Sequence, residues 1–181
     1  ADGDLAINDG RAGDFAWNNP PKVDDPKSYD KLKLHLAYIL TIPGVPIIYY
    51  GDEIGMTGAA DPDNRRMMRF GYDLDKNEIQ TFEDVSKLIH IRKEHSALRY
   101  GDFLTLQADE NIYAFIRSDL NERVLTIVNK SSEMQDLKFD LPAVYNVNKA
   151  KDLVSGKELV VRDNKILLTI DGTKYLIIKL E

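Results

Sequence analysis

The sequence predicts an α+β chain in which a short α/β segment is followed by an antiparallel all-β sandwich. Three observations point there. Up to about residue 98, apolar residues recur at intervals of three and four, the spacing of amphipathic helices. Between two such stretches lies "VPIIYY" (45–50), a β-branched and aromatic block too short for a helix. Beyond Arg99, short alternating runs are separated by turn-forming clusters. The domains are accordingly set at 1–98 and 99–181.

Taken in order, residues 1–26 are rich in Gly, Asp, Asn and Pro, the composition of a long surface loop. Asp25 then caps a helix with Pro26 at its first position, and Leu32, Leu36, Ile39 and Leu40 mark the buried face until Pro43-Gly44 stops it. "VPIIYY" reads as a buried, parallel strand whose proline stands at the start, where a strand tolerates one. A loop of about twenty residues leads into a second helix from Ile79 to Leu98, with Phe82, Val85, Leu88, Ile89 and Ile91 as its apolar positions and Thr81 and Asp84 at capping-box spacing. A single strand cannot satisfy its own backbone, so this segment requires strands from elsewhere or from a second copy. After Arg99 the candidate strands are "DFLTLQ", "NIYAFIRS", "RVLTIVNK", "DLKFDL", "AVYNVN", "ELVVRD", "KILLTID" and "KYLIIKL". Ile166, Leu168 and Ile170 share one face, as do Leu176, Ile178 and Leu180, the alternation of a sandwich strand.

With 181 residues and 43% hydrophobic content the chain has material for a core. A net charge of -6 argues against nucleic acid and anionic membrane as partners, since both need clustered Lys and Arg. The longest apolar candidate, "LAYILTIPGVPIIYY", is interrupted by Pro43, Gly44 and Pro46 and falls short of the roughly 18 residues a membrane span needs. Without cysteine there is neither a disulfide framework nor a thiolate site. The opening "ADGDLAIND" lacks Met and a signal peptide and reads as a cut start, which leaves the compartment unassigned.

Several motifs bear on the chemistry. Gly51, Gly55 and Gly58 lack the Lys-Ser/Thr of a phosphate-binding loop. Asp61, Asp63 and Asn64 begin like a calcium loop, but Arg65 and Arg66 follow where oxygen ligands and the turn glycine belong. His35, His90 and His95 lack metal-ligand spacing, and no metal site is expected. Asp2, Asp4, Asp9 and Asp14 read as Asx turns, with loosely held calcium as the alternative. Asp52 and Glu53 are adjacent, so on an extended strand they point to opposite faces. Retaining glycoside cleavage needs two carboxyls facing each other about 5 to 5.5 Å apart; of these two, one lines a pocket while the other caps the loop or pairs with Arg65, Arg66 or Arg69, and the structural role is favoured for both. Trp17, beside Asn18 and Asn19, either anchors its loop or stacks on a sugar face. In "DPDNRR", Asp61-Pro62 sets a turn and Arg65, four places on, returns a fork of donors towards the aspartate. Together they match vicinal sugar hydroxyls; a solvated ion pair is the alternative.

"GVPIIYYGDEIGMTGAADPDNRRMMRF" resembles the segment around the eighth strand of the α-amylase family of glycoside hydrolases. "LIHIRKEHSALRYGDF" is similar to that family's last barrel helix running into its C-terminal domain, and "NIYAFIRSDLNERVLTIVNKSS" and "AKDLVSGKEL" to the sandwich that follows. The resemblance implies the last part of a (β/α)8 TIM barrel ahead of the sandwich. It also implies a parent acting on α-linked glucans by a retaining mechanism, with no cofactor required and calcium left open. In the family the three catalytic acids follow strands four, five and seven, the last within Asn-His-Asp. No "NHD" occurs here, so the resemblance implies that no catalytic residue lies in the chain and that it is inert on starch alone. Asp61 and Arg65 take positions that hold a glucose unit in relatives; Met67 and Phe70 stand where proline and tryptophan are frequent. A truncated barrel exposes strand edges, which predicts self-association or a disordered N-terminal region. The competing reading is a non-catalytic carbohydrate-binding or interaction module centred on the sandwich.

Overall fold

The computed structural model describes residues 17–59 and 61–181. They fall into two compact units, one holding the described residues up to Leu32 with Ile47–Asp84, the other Lys33–Pro46 with Val85–Glu181. The aspartates at 2, 4, 9 and 14 lie outside the described residues.

Helix α1 spans Lys27–Thr41. Its start is the expected one: the Asp25 carboxylate accepts the Lys27 N–H at 2.9 Å, and the Asp25 carbonyl accepts that of Ser28. Helix α2, Lys76–Glu94, begins three residues before the expected Ile79. The reason is a capping box six residues upstream of the expected one. Asp75 Oδ1 accepts the N–H groups of Asn77 and Glu78 at 2.7 and 3.0 Å, and Glu78 Oε2 accepts the Asp75 N–H at 2.9 Å. Thr81, expected in the box, is buried inside the helix, where its hydroxyl donates to the Asn77 carbonyl. The helix expected to reach Leu98 breaks at extended His95, and a short α3, Ser96–Tyr100, follows.

Strands β1 (Asp102–Ala108), β2 (Ile112–Ser118), β3 (Arg123–Asn129) and β4 (Gln135–Asp140) come next. After them come β5 (Ala150–Asp152), β6 (Glu158–Leu159), β7 (Val161–Arg162), β8 (Lys165–Ile170) and β9 (Lys174–Leu180). Every pairing between them is antiparallel. They form a six-stranded sheet in the order β1, β2, β3, β9, β5, β6 and a three-stranded sheet in the order β4, β8, β7. Two expected strands differ. "AVYNVN" is a 3-10 turn at Ala143–Tyr145 ending in left-handed Asn146, and pairing resumes only at β5. "ELVVRD" is divided at exposed Val160, because the chain leaves one sheet at β6 and enters the other at β7.

The core between the sheets is built from Ile112, Ala114, Ile116, Leu125, Ile127 and Ile178 against Leu137, Phe139, Ile166 and Ile170. The six-stranded sheet is covered on its other face too: Val124 and Ile177 pack with Ala37 and Leu40 of α1, Leu88 and Ile91 of α2, and Ala97 and Leu98 of α3. Arg92 and Arg117, both buried, bind this region by donating to main-chain carbonyls. Arg92 Nη1 reaches Leu40 and Leu98 at 2.7 and 2.8 Å; Arg117 Nη1 reaches Thr41 and Leu98 at 2.9 and 3.0 Å. The guanidiniums thereby satisfy helix-terminal carbonyls that have no partner within a helix.

The expected strand at 45–50 is not formed: no described strand pairs with it, and Val45 and Ile47 are 89% and 82% exposed. A strand exists only as one side of a ladder, and no described residues supply the other side.

Candidate functional site

The sharp turn after Tyr50 depends on its carboxylates. Gly51 has φ 95° and opens a 3-10 turn at Asp52–Ile54. Asp52 Oδ2 accepts the Tyr49 N–H at 3.1 Å, and Glu53 Oε2 accepts the Gly51 N–H at 2.8 Å. Both acids are engaged in shaping the loop, as the structural reading has it, while Arg65, Arg66 and Arg69 pair with Asp61, Asp63 and Glu78 instead. Gly55 ends the turn at φ 68°, and a Cβ there would lie 2.7 Å from the ring of buried Tyr29. Only glycine meets both conditions.

The next loop sorts its charges into an inner and an outer pair. Residues Asp63–Arg65 form a 3-10 turn. Asp63 is fully buried, accepts the Ala59 N–H at 2.7 Å and is ion-paired with Arg66. Asp61 is ion-paired with Arg65, and these side chains are 61% and 62% exposed. The inner pair anchors the loop; the outer one presents carboxylate acceptors beside guanidinium donors to solvent. Such a pair adds little stability, but it offers a neutral polyol both polarities at once.

Trp17 is placed apart from that pair. It is 49% exposed, with the Arg66 guanidinium carbon 5.1 Å from its ring centre and Arg66 Nη2 donating to its carbonyl at 3.0 Å. It lines a cavity of about 660 Å3 with Pro21, Tyr29, Met56, Arg69 and Glu78, a lining that includes neither Asp61 nor Arg65. Arg69 is fixed by Glu78, whose carboxylate takes both its terminal nitrogens, and by the Asp73 carbonyl at 3.1 Å. The Glu78 bond raises the Arg69 pKa beyond its ordinary value, against the effect of burial. Burial, then the carboxylates of Asp75 and Glu78, raise that of the Tyr29 phenol.

With the fold and the loop geometry described, known proteins can be set beside them. Residues 103–177 match the family described as "Maltogenic Amylase, C-terminal domain". A cyclomaltodextrinase of Thermoanaerobacter pseudethanolicus is 36% identical over 147 residues, 81% of this chain. The crystal structure of an Anoxybacillus α-amylase superposes with a TM-score of 0.75 at 31% identity, covering 94% of this chain and 35% of that one. The chain is a relative of the α-amylase family of glycoside hydrolases. A cyclomaltodextrinase of Geobacillus thermopakistaniensis, 41% identical over 115 residues, agrees: those residues are 62% of this chain. This α-amylase relative spans 19% and 24% of the length of the two cyclomaltodextrinases.

Among the described residues of this α-amylase relative, no group of three or more His, Cys, Asp or Glu is placed to hold a metal ion. His90 Nδ1 lies 2.7 Å from the Ser86 carbonyl, and His95 Nδ1 lies 2.7 Å from Glu122 Oε2. No helix among them is long and apolar enough to cross a membrane. The sequence pattern does not mark Tyr29 or Glu78, and it offers Arg69 only as a partner of Asp52 or Glu53, whereas its carboxylate partner is Glu78. The readable signal was "DKNE" at 75–78, a capping box that places Glu78 on the first turn of α2.

Proposed function

We propose that this chain is the substrate-gripping C-terminal part of an α-amylase-type hydrolase of α-linked glucans, with the bond-breaking acids elsewhere in the parent. Residues 1–98 contribute the end of its barrel and 99–181 its sandwich domain, and 45–50 is the last barrel strand, awaiting its neighbours. The observation that carries this reading is the convergence of Asp61 and Arg65 as an exposed donor and acceptor pair. Asp52 and Glu53 are committed to backbone N–H groups, so they are not a facing catalytic pair. The role left to this loop is binding, whose energy positions and distorts a sugar for cleavage by other groups.

Calorimetry of the full chain with maltotriose tests the assignment. Asp61→Asn and Arg65→Met should each weaken binding about tenfold, the effect of losing charge-assisted hydrogen bonds. No reducing ends should be released from starch. Affinity untouched by either substitution would overturn the grip at Asp61 and Arg65, and turnover by the chain would overturn the assignment of the acids.

A further inference from the structure

The cavity beside Trp17 has no part in the grip just described. We infer that it is a second saccharide site, taking one neutral sugar ring of an α-glucan apart from the ring held at Asp61 and Arg65. The choice of sugar among neutral polyols rests on the proposed function; the existence of the site rests on the cavity itself.

Its volume of about 660 Å3 is in the range of small-ligand pockets, roughly 300–1,000 Å3. Charge in and around its wall is balanced. Lys22, Arg66 and Arg69 stand among Asp75 and Glu78, and Arg66 is also paired with Asp63 behind the wall. No surplus charge remains to select a phosphate or an ammonium group, so the polar contacts suit a neutral ligand rich in hydroxyls. Trp17, Pro20, Pro21 and Met56 supply an apolar side against which the C–H face of a pyranose ring can lie.

Tyr29 points to an occupant. The residue is 7% exposed and lines the cavity, and its hydroxyl, engaged by no hydrogen bond within the described residues, is open to the cavity's solvent. A polar group so placed is left short of a partner unless a ligand or water supplies one. At neutral pH the phenol is an O–H donor, and Gly55 lets the ring lie where it does. A sugar hydroxyl is a fitting acceptor.

Trp17 is the only tryptophan in the sequence and lines the cavity, so tryptophan fluorescence is sensitive to a ligand there. Titrating the full chain with maltotriose should give a saturable change in that signal. Tyr29→Phe, which keeps the ring packed on Gly55, should raise the midpoint about fivefold, the loss of one neutral hydrogen bond, with an unchanged far-ultraviolet circular dichroism spectrum. Asp61→Asn should leave the midpoint as it is. No saturable change, or a midpoint indifferent to Tyr29→Phe, overturns the second site. A fluorescence change abolished by Asp61→Asn also overturns it while supporting the grip at Asp61 and Arg65. A change that persists when calorimetry finds no effect of Asp61→Asn sustains the cavity and sinks that grip.

Discussion

In the unit that carries the sandwich, Leu125, Ile127, Ile177 and Ile178 leave no surface to water, and neighbouring residues of one strand are buried on opposite faces of one sheet. The unit that carries Asp61 and Arg65 is built otherwise. Its buried side chains among the described residues are Tyr29 and Ile54 together with Asp63, Glu78 and Thr81, while Met67, Phe70 and Tyr72 are exposed. The first is held by apolar area, non-directional and summed over many residues. The second is held by directed contacts of a few polar groups with backbone N–H groups, carbonyls and each other. The difference matters for function, because directed contacts fix a loop in one shape while leaving its outer side chains free to meet a ligand.

The largest effect that sharpens this contrast is expected on β9. Ile177→Ala and Ile178→Ala should each lower stability by about 2–5 kcal/mol in denaturant unfolding, since each empties a closed part of the core. Ile177 faces the helices and Ile178 the second sheet, so a small loss at Ile177 alone would mean that the helix-side layer is loosely packed. Glu78→Ala should follow at about 2 kcal/mol, because it removes the Glu78 half of the α2 capping box and strips Arg69 of its carboxylate partner. Trp17 fluorescence measures this loss within the loop unit. An unchanged unfolding midpoint would break the claim that directed contacts hold that unit.

How far each unit could be read from sequence follows from the same distinction. Strands β2, β3 and β9 were legible because both of their faces are apolar, and their runs stand out whatever the register. "AVYNVN" misled because alternation records burial, not pairing: Val147 is buried and Tyr145 partly so, yet the residues turn without joining a ladder. "VPIIYY" has strand composition, and what it lacks, a neighbouring strand, is not a property of its own residues. In the loop unit, the interval of four between Asp61 and Arg65 was enough to bring them together. That Trp17 would lie with Arg66 and Tyr29 instead was not legible, since it depends on contacts across 49 residues and on a glycine that leaves room for a ring.

The smallest expected effect brings a directed contact into the sandwich unit and tests whether it behaves as those of the loop unit do. Glu122, on the turn between β2 and β3, accepts the Ala97 N–H at 3.2 Å and lies 2.7 Å from His95 Nδ1, which ties the turn to the start of α3. Burial pushes the Glu122 carboxyl up, but the His95 bond and the Ala97 N–H outweigh it, with Asp119 opposing, and the pKa is held below its ordinary value. A carboxyl whose folded pKa is depressed adds stability above its unfolded value, about 4.3, and that addition is lost as pH falls through the folded one. Glu122→Gln should therefore cost about 1 kcal/mol at pH 7, and its stability should fall less steeply than that of the parent chain below about pH 4.3. Asp119, held low chiefly by the Ser96 hydroxyl, still titrates in the variant, so the acid loss should become shallower without vanishing. Denaturant midpoints measured from pH 7 down to pH 3 decide it. Parallel curves for the two proteins would show that the carboxylate charge of Glu122 contributes nothing to holding α3.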